Sequence, residues 1–221
     1  MRLISSENGR RISLASTTLV LLACLNTQSL HAAGTPGASA EEVPEGQTAG
    51  DTASAHYQRG LSAQERALAR EAAAARADGT ADRTAQLAAA DAAFEEAVTY
   101  FGKALKLQLD HYEAANELGY SLRKTGDYRK ALGAYNFALT IKPDFYPAVE
   151  YRGEAYLALG MIEQAKDAYL TLFMNDPQLA AQLLQAMADA EVDADFSAWV
   201  EERQAIAAAT PGADMPAKAS W

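Results

Sequence analysis

Residues 112–145 read YEAANELGYSLRKTGDYRKALGAYNFALTIKPDF, and residues 146–179 read YPAVEYRGEAYLALGMIEQAKDAYLTLFMNDPQL. Laid one above the other, the two segments match in step at a shift of 34. Gly119 returns as Gly153, Gly126 as Gly160, Ala131 as Ala165, Tyr135 as Tyr169 and Pro143 as Pro177. A period of about 34 residues belongs to a helix–turn–helix unit stacked on its neighbours. Ala115, Leu118, Gly119 and Leu122 fall at the i, i+3, i+4, i+7 spacing of one helix face. A glycine in mid-helix costs roughly 1 kcal/mol against alanine, a cost accepted where another chain segment must come close. Gly126 with Asp127 ends the first helix of the unit, since glycine takes the left-handed conformation that closes a helix. Ala131, Tyr135 and Ala138 share a face of the second, and Pro143 prevents its continuation.

These positions resemble the tetratricopeptide repeat family at Leu118, Gly119, Ala131, Tyr135, Ala138 and Pro143. The pattern departs at Arg152 and Leu172, where an aliphatic residue and an alanine are usual. The resemblance implies an all-α solenoid of antiparallel helix pairs, with a domain over 53–209 and clear repeats at 112–145 and 146–179.

Working outward, 53–77 and 81–107 read as two long, alanine-rich helices broken at Asp78-Gly79-Thr80. Ala97, Phe101 and Ala104 precede Ala131, Tyr135 and Ala138 by the same shift. A degenerate first pair is therefore expected, with Gly60 its only candidate for the packing glycine. Beyond Pro177, Leu179, Leu183, Leu184 and Met187 make an apolar stripe. A final helix over about 196–208 presents Phe196, Trp199, Val200 and Ile206. Together they are expected to cap the array, with Asp195 capping the final helix. Residues 210–221 have no helical period and are expected to be a disordered tail.

The N-terminus reads as a targeting segment. Arg2, Arg10 and Arg11 precede a largely apolar run from Ile12 to Leu25, short of the ~20 residues that span a bilayer. Two processing routes stay open. Cleavage after Leu30-His31-Ala32, the preferred reading, makes 1–32 a signal peptide. Leu21-Leu22-Ala23-Cys24 instead resembles a lipobox, making 1–23 a lipoprotein signal and Cys24 the lipidated residue. Either places the repeats outside the cytoplasm, in the periplasm or anchored to the outer membrane. Residues 33–52 lack a hydrophobic period and read as a disordered linker.

A formal charge of −10 disfavours nucleic acid and anionic lipid as partners. With three His and one Cys, no Cys/His metal site can be assembled. No phosphate loop, HExxH or GxSxG motif occurs, so no catalytic residue and no cofactor is expected. Asp189, Glu191, Asp193 and Asp195 alternate like calcium ligands. However, Ala194 and Val200 stand where such a loop needs Gly and Glu.

The family resemblance implies that the first helices of successive pairs line a concave groove for a partner segment. By position these are Asn116, Tyr120 and Arg123 in one unit, and Glu150 and Glu154 in the next. Glu113, Lys124, Pro147 and Leu157 lie around them. Arg123 is expected to meet a partner carboxylate, and Glu150 with Glu154 a basic group. The function expected is a non-catalytic protein-interaction module or adaptor of the bacterial cell envelope. The alternatives are a self-associating scaffold built on the alanine-rich helices, or an accessory subunit of an envelope enzyme complex.

Overall fold

The computed structural model describes residues 52–190 and 192–209. The targeting segment with Cys24, most of the linker and the C-terminal tail lie outside the described residues. Eight helices follow one another: α1 (Ala53–Arg76), α2 (Thr80–Leu107), α3 (Tyr112–Lys124), α4 (Tyr128–Ile141), α5 (Tyr146–Ala158), α6 (Ile162–Asn175), α7 (Pro177–Ala188) and α8 (Ala194–Ala209). No strand occurs among the described residues. Each helix packs on the next, and α5 also packs on α3 and α7, so the odd-numbered helices stand side by side.

The turns explain themselves in the sequence. Gly126 (φ 85°) and Gly160 (φ 70°) are the two glycines in the left-handed region among the described residues. Each follows the end of a first helix. Beyond them the Asp127 amide donates to the Leu122 carbonyl at 2.8 Å and the Met161 amide to Tyr156 at 2.9 Å. Both bonds bring the chain back over the last turn in the same way. Side chains cap several starts: Asp127 accepts from the Lys130 amide, and Asp176 from Leu179. His111 Nδ1 accepts from the Ala114 amide at 3.3 Å, which gives that imidazole a structural place at the start of α3. The final helix starts earlier than expected. Asp193, not Asp195, caps it, accepting from the Phe196 amide at 2.8 Å. Asp193 thus caps the connection into α8, and no cluster able to hold a metal occurs among the described residues.

The interior is a row of linked cores. Ala63, Ala97, Phe101, Ala104 and Ala114 form the first. Ala115, Ala131, Tyr135, Ala138, Ala148 and Ala155 form the second. The third is built on Val149, Tyr169, Leu172, Leu183, Leu184, Met187, Phe196 and Val200. Leu105 packs against the first and second, Leu139 against the second and third. Alanine at so many buried positions lets helices cross closely. The cap is largely as expected, except that Ile206 is exposed.

Three mid-helix glycines sit at close crossings, whereas Gly102 and Gly133 face open space. A Cβ on Gly119 would lie 2.6 Å from the Tyr135 ring, and one on Gly60 would lie 2.5 Å from the Phe101 ring. Gly153 differs: its neighbour is Leu183 of α7, at 2.6 Å, with the Ala168 Cβ at 3.3 Å. Tyr169, which corresponds to Tyr135, turns instead to Trp199 of α8, with ring centroids 5.4 Å apart. The cap thus takes over at this third crossing.

The first pair keeps the crossing but has longer arms. Beyond Gly60, α1 continues to Arg76, whereas α3 stops at Lys124, soon after Gly119. On the facing helices, α2 begins at Thr80, far ahead of Phe101, whereas α4 begins at Tyr128, close before Tyr135. The additions come to about three turns in α1 and about four in α2. Because they are nearly whole turns, the faces return to register.

Candidate functional site

Side chains from α1, α3 and α5 converge where these first helices lie side by side. Arg123, 8 % exposed, forms an ion pair with Glu154, 17 % exposed, joining α3 to α5. Its guanidinium carbon lies 5.3 Å from the Tyr120 ring centroid and 5.4 Å from that of Tyr151. These two rings are themselves 5.2 Å apart. Phe94 of α2 continues the aromatic run at 6.1 Å from Tyr120, and Tyr135 at 6.2 Å from Tyr151. Burial alone would pull the guanidinium pKa down. Glu154, Tyr135 and Tyr120 more than offset this and hold it above its ordinary value.

Glu150 lies one turn before Glu154 and is 3 % exposed. Burial first, then the charge of Glu154 and a hydrogen bond with it, push its carboxyl well above the usual carboxylate range. Arg123 opposes that rise without cancelling it. Burial lifts the Tyr120 hydroxyl to about 12, and it raises Tyr151 and Tyr135 as well.

A second polar knot ties α1 to α3. Gln64 Nε2 donates to Ser121 Oγ at 3.0 Å and to the Glu117 carbonyl at 3.2 Å. Asn116 Nδ2 donates to Glu117 Oε1 at 3.0 Å. Burial raises the Glu117 carboxyl, while hydrogen bonds from Gln64 and Asn116 pull it back. Further along, Lys124 Nζ meets Glu71 Oε1 at 2.7 Å.

The structure therefore brings together Tyr120, Arg123, Glu150 and Glu154. Asn116, one turn earlier and 1 % exposed, belongs to the α1–α3 knot, and its Oδ1 is buried without a hydrogen-bond partner. Asn116 and Glu150 are the same register position one repeat apart, and both form floor. Arg123 differs from expectation, since its carboxylate partner comes from its own chain. Sequence reasoning missed Tyr151, Glu117, Gln64 and Ser121. Glu117 and Tyr151 are also equivalent positions one repeat apart, and that repeat was the signal that could have found both. None of these groups forms a nucleophile–base pair with another described residue.

Stacked helix pairs with a polar, aromatic face along their first helices define a helical repeat protein. A tetratricopeptide repeat family model matches residues 122–190, from late α3 through α7. That segment is tetratricopeptide repeat sequence, and such repeats generally mediate protein–protein interaction and are typically non-catalytic. Comparison with curated proteins gave no match.

Proposed function

We propose that this chain is a non-catalytic interaction module of the bacterial cell envelope, holding a partner segment along α1, α3 and α5. The observation that carries the reading is the rigid Tyr120–Arg123–Tyr151 stack locked by Glu154. A pre-ordered aromatic surface loses little freedom on binding, which is the property of an anchor site. The basic and apolar start of the sequence, Arg2 to Leu25, supports a place outside the cytoplasm. No helix among the described residues is long and apolar enough to cross a membrane. Attachment would therefore fall to Cys24 if the lipobox is used.

A photoreactive amino acid placed at Tyr120, and separately at Phe137 on α4, tests the docking face in native envelope extract. Capture of one protein from Tyr120 and not from Phe137 is the expected result. Capture from Phe137 alone would reject the groove. The intact mass of the mature protein decides the processing. A new N-terminus at Ala33 is expected, and a diacylglycerol-modified Cys24 would replace that reading with the lipoprotein.

A further inference from the structure

The cations of the groove are already engaged, and two of its carboxylates have no cation of their own among the described residues. Arg123 is paired with Glu154, and Lys124 with Glu71. Glu117 receives hydrogen bonds only from the neutral amides of Asn116 and Gln64. Glu150 faces the like charge of Glu154, and the one guanidinium acting on it is the one Glu154 holds. Among the described residues four acidic side chains thus stand against two cations. Burial holds Glu117 and Glu150 toward their protonated forms, and an incoming cation would favour their ionised forms in surroundings partly shielded from water, where charge is felt more strongly than in bulk solvent. Tyr151 lies in the field of both Glu117 and Glu150. Aromatic faces attract cations, and Arg123 already sits over both Tyr120 and Tyr151.

We propose that this groove takes a partner segment carrying lysine or arginine, its cation coming to rest near Glu117 and Glu150 against the Tyr151 ring. The inference rests on the groove being the docking face. A partner's terminal carboxylate fits poorly, because it would meet further acidic side chains and find Arg123 already paired with Glu154. The neutral floor groups, Asn116 and Ser121, add no cation beside Glu117.

The test uses three short labelled peptides of equal length, lysine–alanine, glutamate–alanine and serine–glycine, each with a photoreactive group. Each is titrated against the full chain. Two variants that each remove two carboxyl groups are compared: Glu117→Gln with Glu150→Gln in the groove, and Glu163→Gln with Glu202→Gln on the exposed faces of α6 and α8. The lysine peptide should bind tightest and cross-link to α3 and α5. The groove variant should weaken it about tenfold and the surface variant less than about twofold, as expected for a local charge contact. Equal weakening by both variants would overturn the inference in favour of diffuse attraction to an acidic protein. Tighter cross-linking of the glutamate or neutral peptide in the groove would overturn the basic chemistry while keeping the docking face. Cross-links that avoid α3 and α5 altogether would reject the docking face itself. Should circular dichroism show the double variant unfolded, Glu150→Gln alone carries the comparison.

Discussion

The backbone of α1 at Gly60 lies against the ring of Phe101 in α2, so close that a Cβ would fall 2.5 Å from it. Gly119 stands in the same relation to Tyr135, at 2.6 Å. A ring held in a packed core cannot withdraw, so an added methyl must push the helices apart. We expect Gly60→Ala and Gly119→Ala each to lose about 1–3 kcal/mol through overpacking, despite the better helix propensity of alanine. Gly153→Ala should lose less, because the Leu183 methyls it meets can turn aside. Urea denaturation of the three variants checks the order. A Gly153→Ala loss as large as the other two would contradict it.

The Arg123–Glu154 pair is largely enclosed, so breaking one side leaves a charge without its partner. Arg123→Met and Glu154→Gln should each cost about 3–5 kcal/mol. Combining them should cost clearly less than the sum. Additive losses in a double-mutant cycle would mean that the two side chains act independently.

Glu150 gives the protein a pH dependence of definite sign. Its folded pKa is raised above the usual 4.5, so the folded state binds this proton more readily than the unfolded chain. Stability from this group is fully present below about 4.5 and is lost as pH rises through the raised value. Glu117 acts in the same direction. The melting temperature should therefore rise on mild acidification from neutral pH. Glu150→Gln, which mimics the protonated form, should flatten that rise and stabilise the protein at neutral pH. An unchanged slope in the variant would show that the pH response lies elsewhere.

Phe196 and Val200 close the third core, and Trp199 packs edge-on against Tyr169. Phe196→Ala should cost about 3–5 kcal/mol. In a repeat array such a loss is felt first by the nearest units. Hydrogen exchange should accelerate in α6, α7 and α8 before it does in α1 and α2. Uniform acceleration would indicate one cooperative unit instead.

Much of this architecture could be read in advance because its parts are short-range. Gly126, Asp127 and Pro143 act on their own neighbours, and the repeat period carries the rest. Gly60 was identifiable only because Phe101 kept the period while its glycine did not. The expected groove residues came from the family resemblance carried over by position, in which Asn116 with Glu150 and Tyr120 with Glu154 are equivalent. What register could not supply was mutual satisfaction. Arg123 and Glu154 belong to different repeats, and nothing local shows that one neutralises the other. The raised carboxyl of Glu150 likewise depends on α3 and α5 coming together. Gly153 meets Leu183 for the same reason: the substitution of one neighbour for another happens between units.

The lengthened arms of α1 and α2 have a reading frame of their own. Each added residue turns a helix by about 100°, so one extra residue inserted between Gly60 and Ala67 would swing Ala67 and Ala74 off the seam they share with α2. Additions near three or four turns restore the seam, and intermediate ones do not. The arm can therefore grow or shrink only in discrete steps, and two proteins sharing this crossing could differ greatly in reach while the junction at Gly60 stays unchanged.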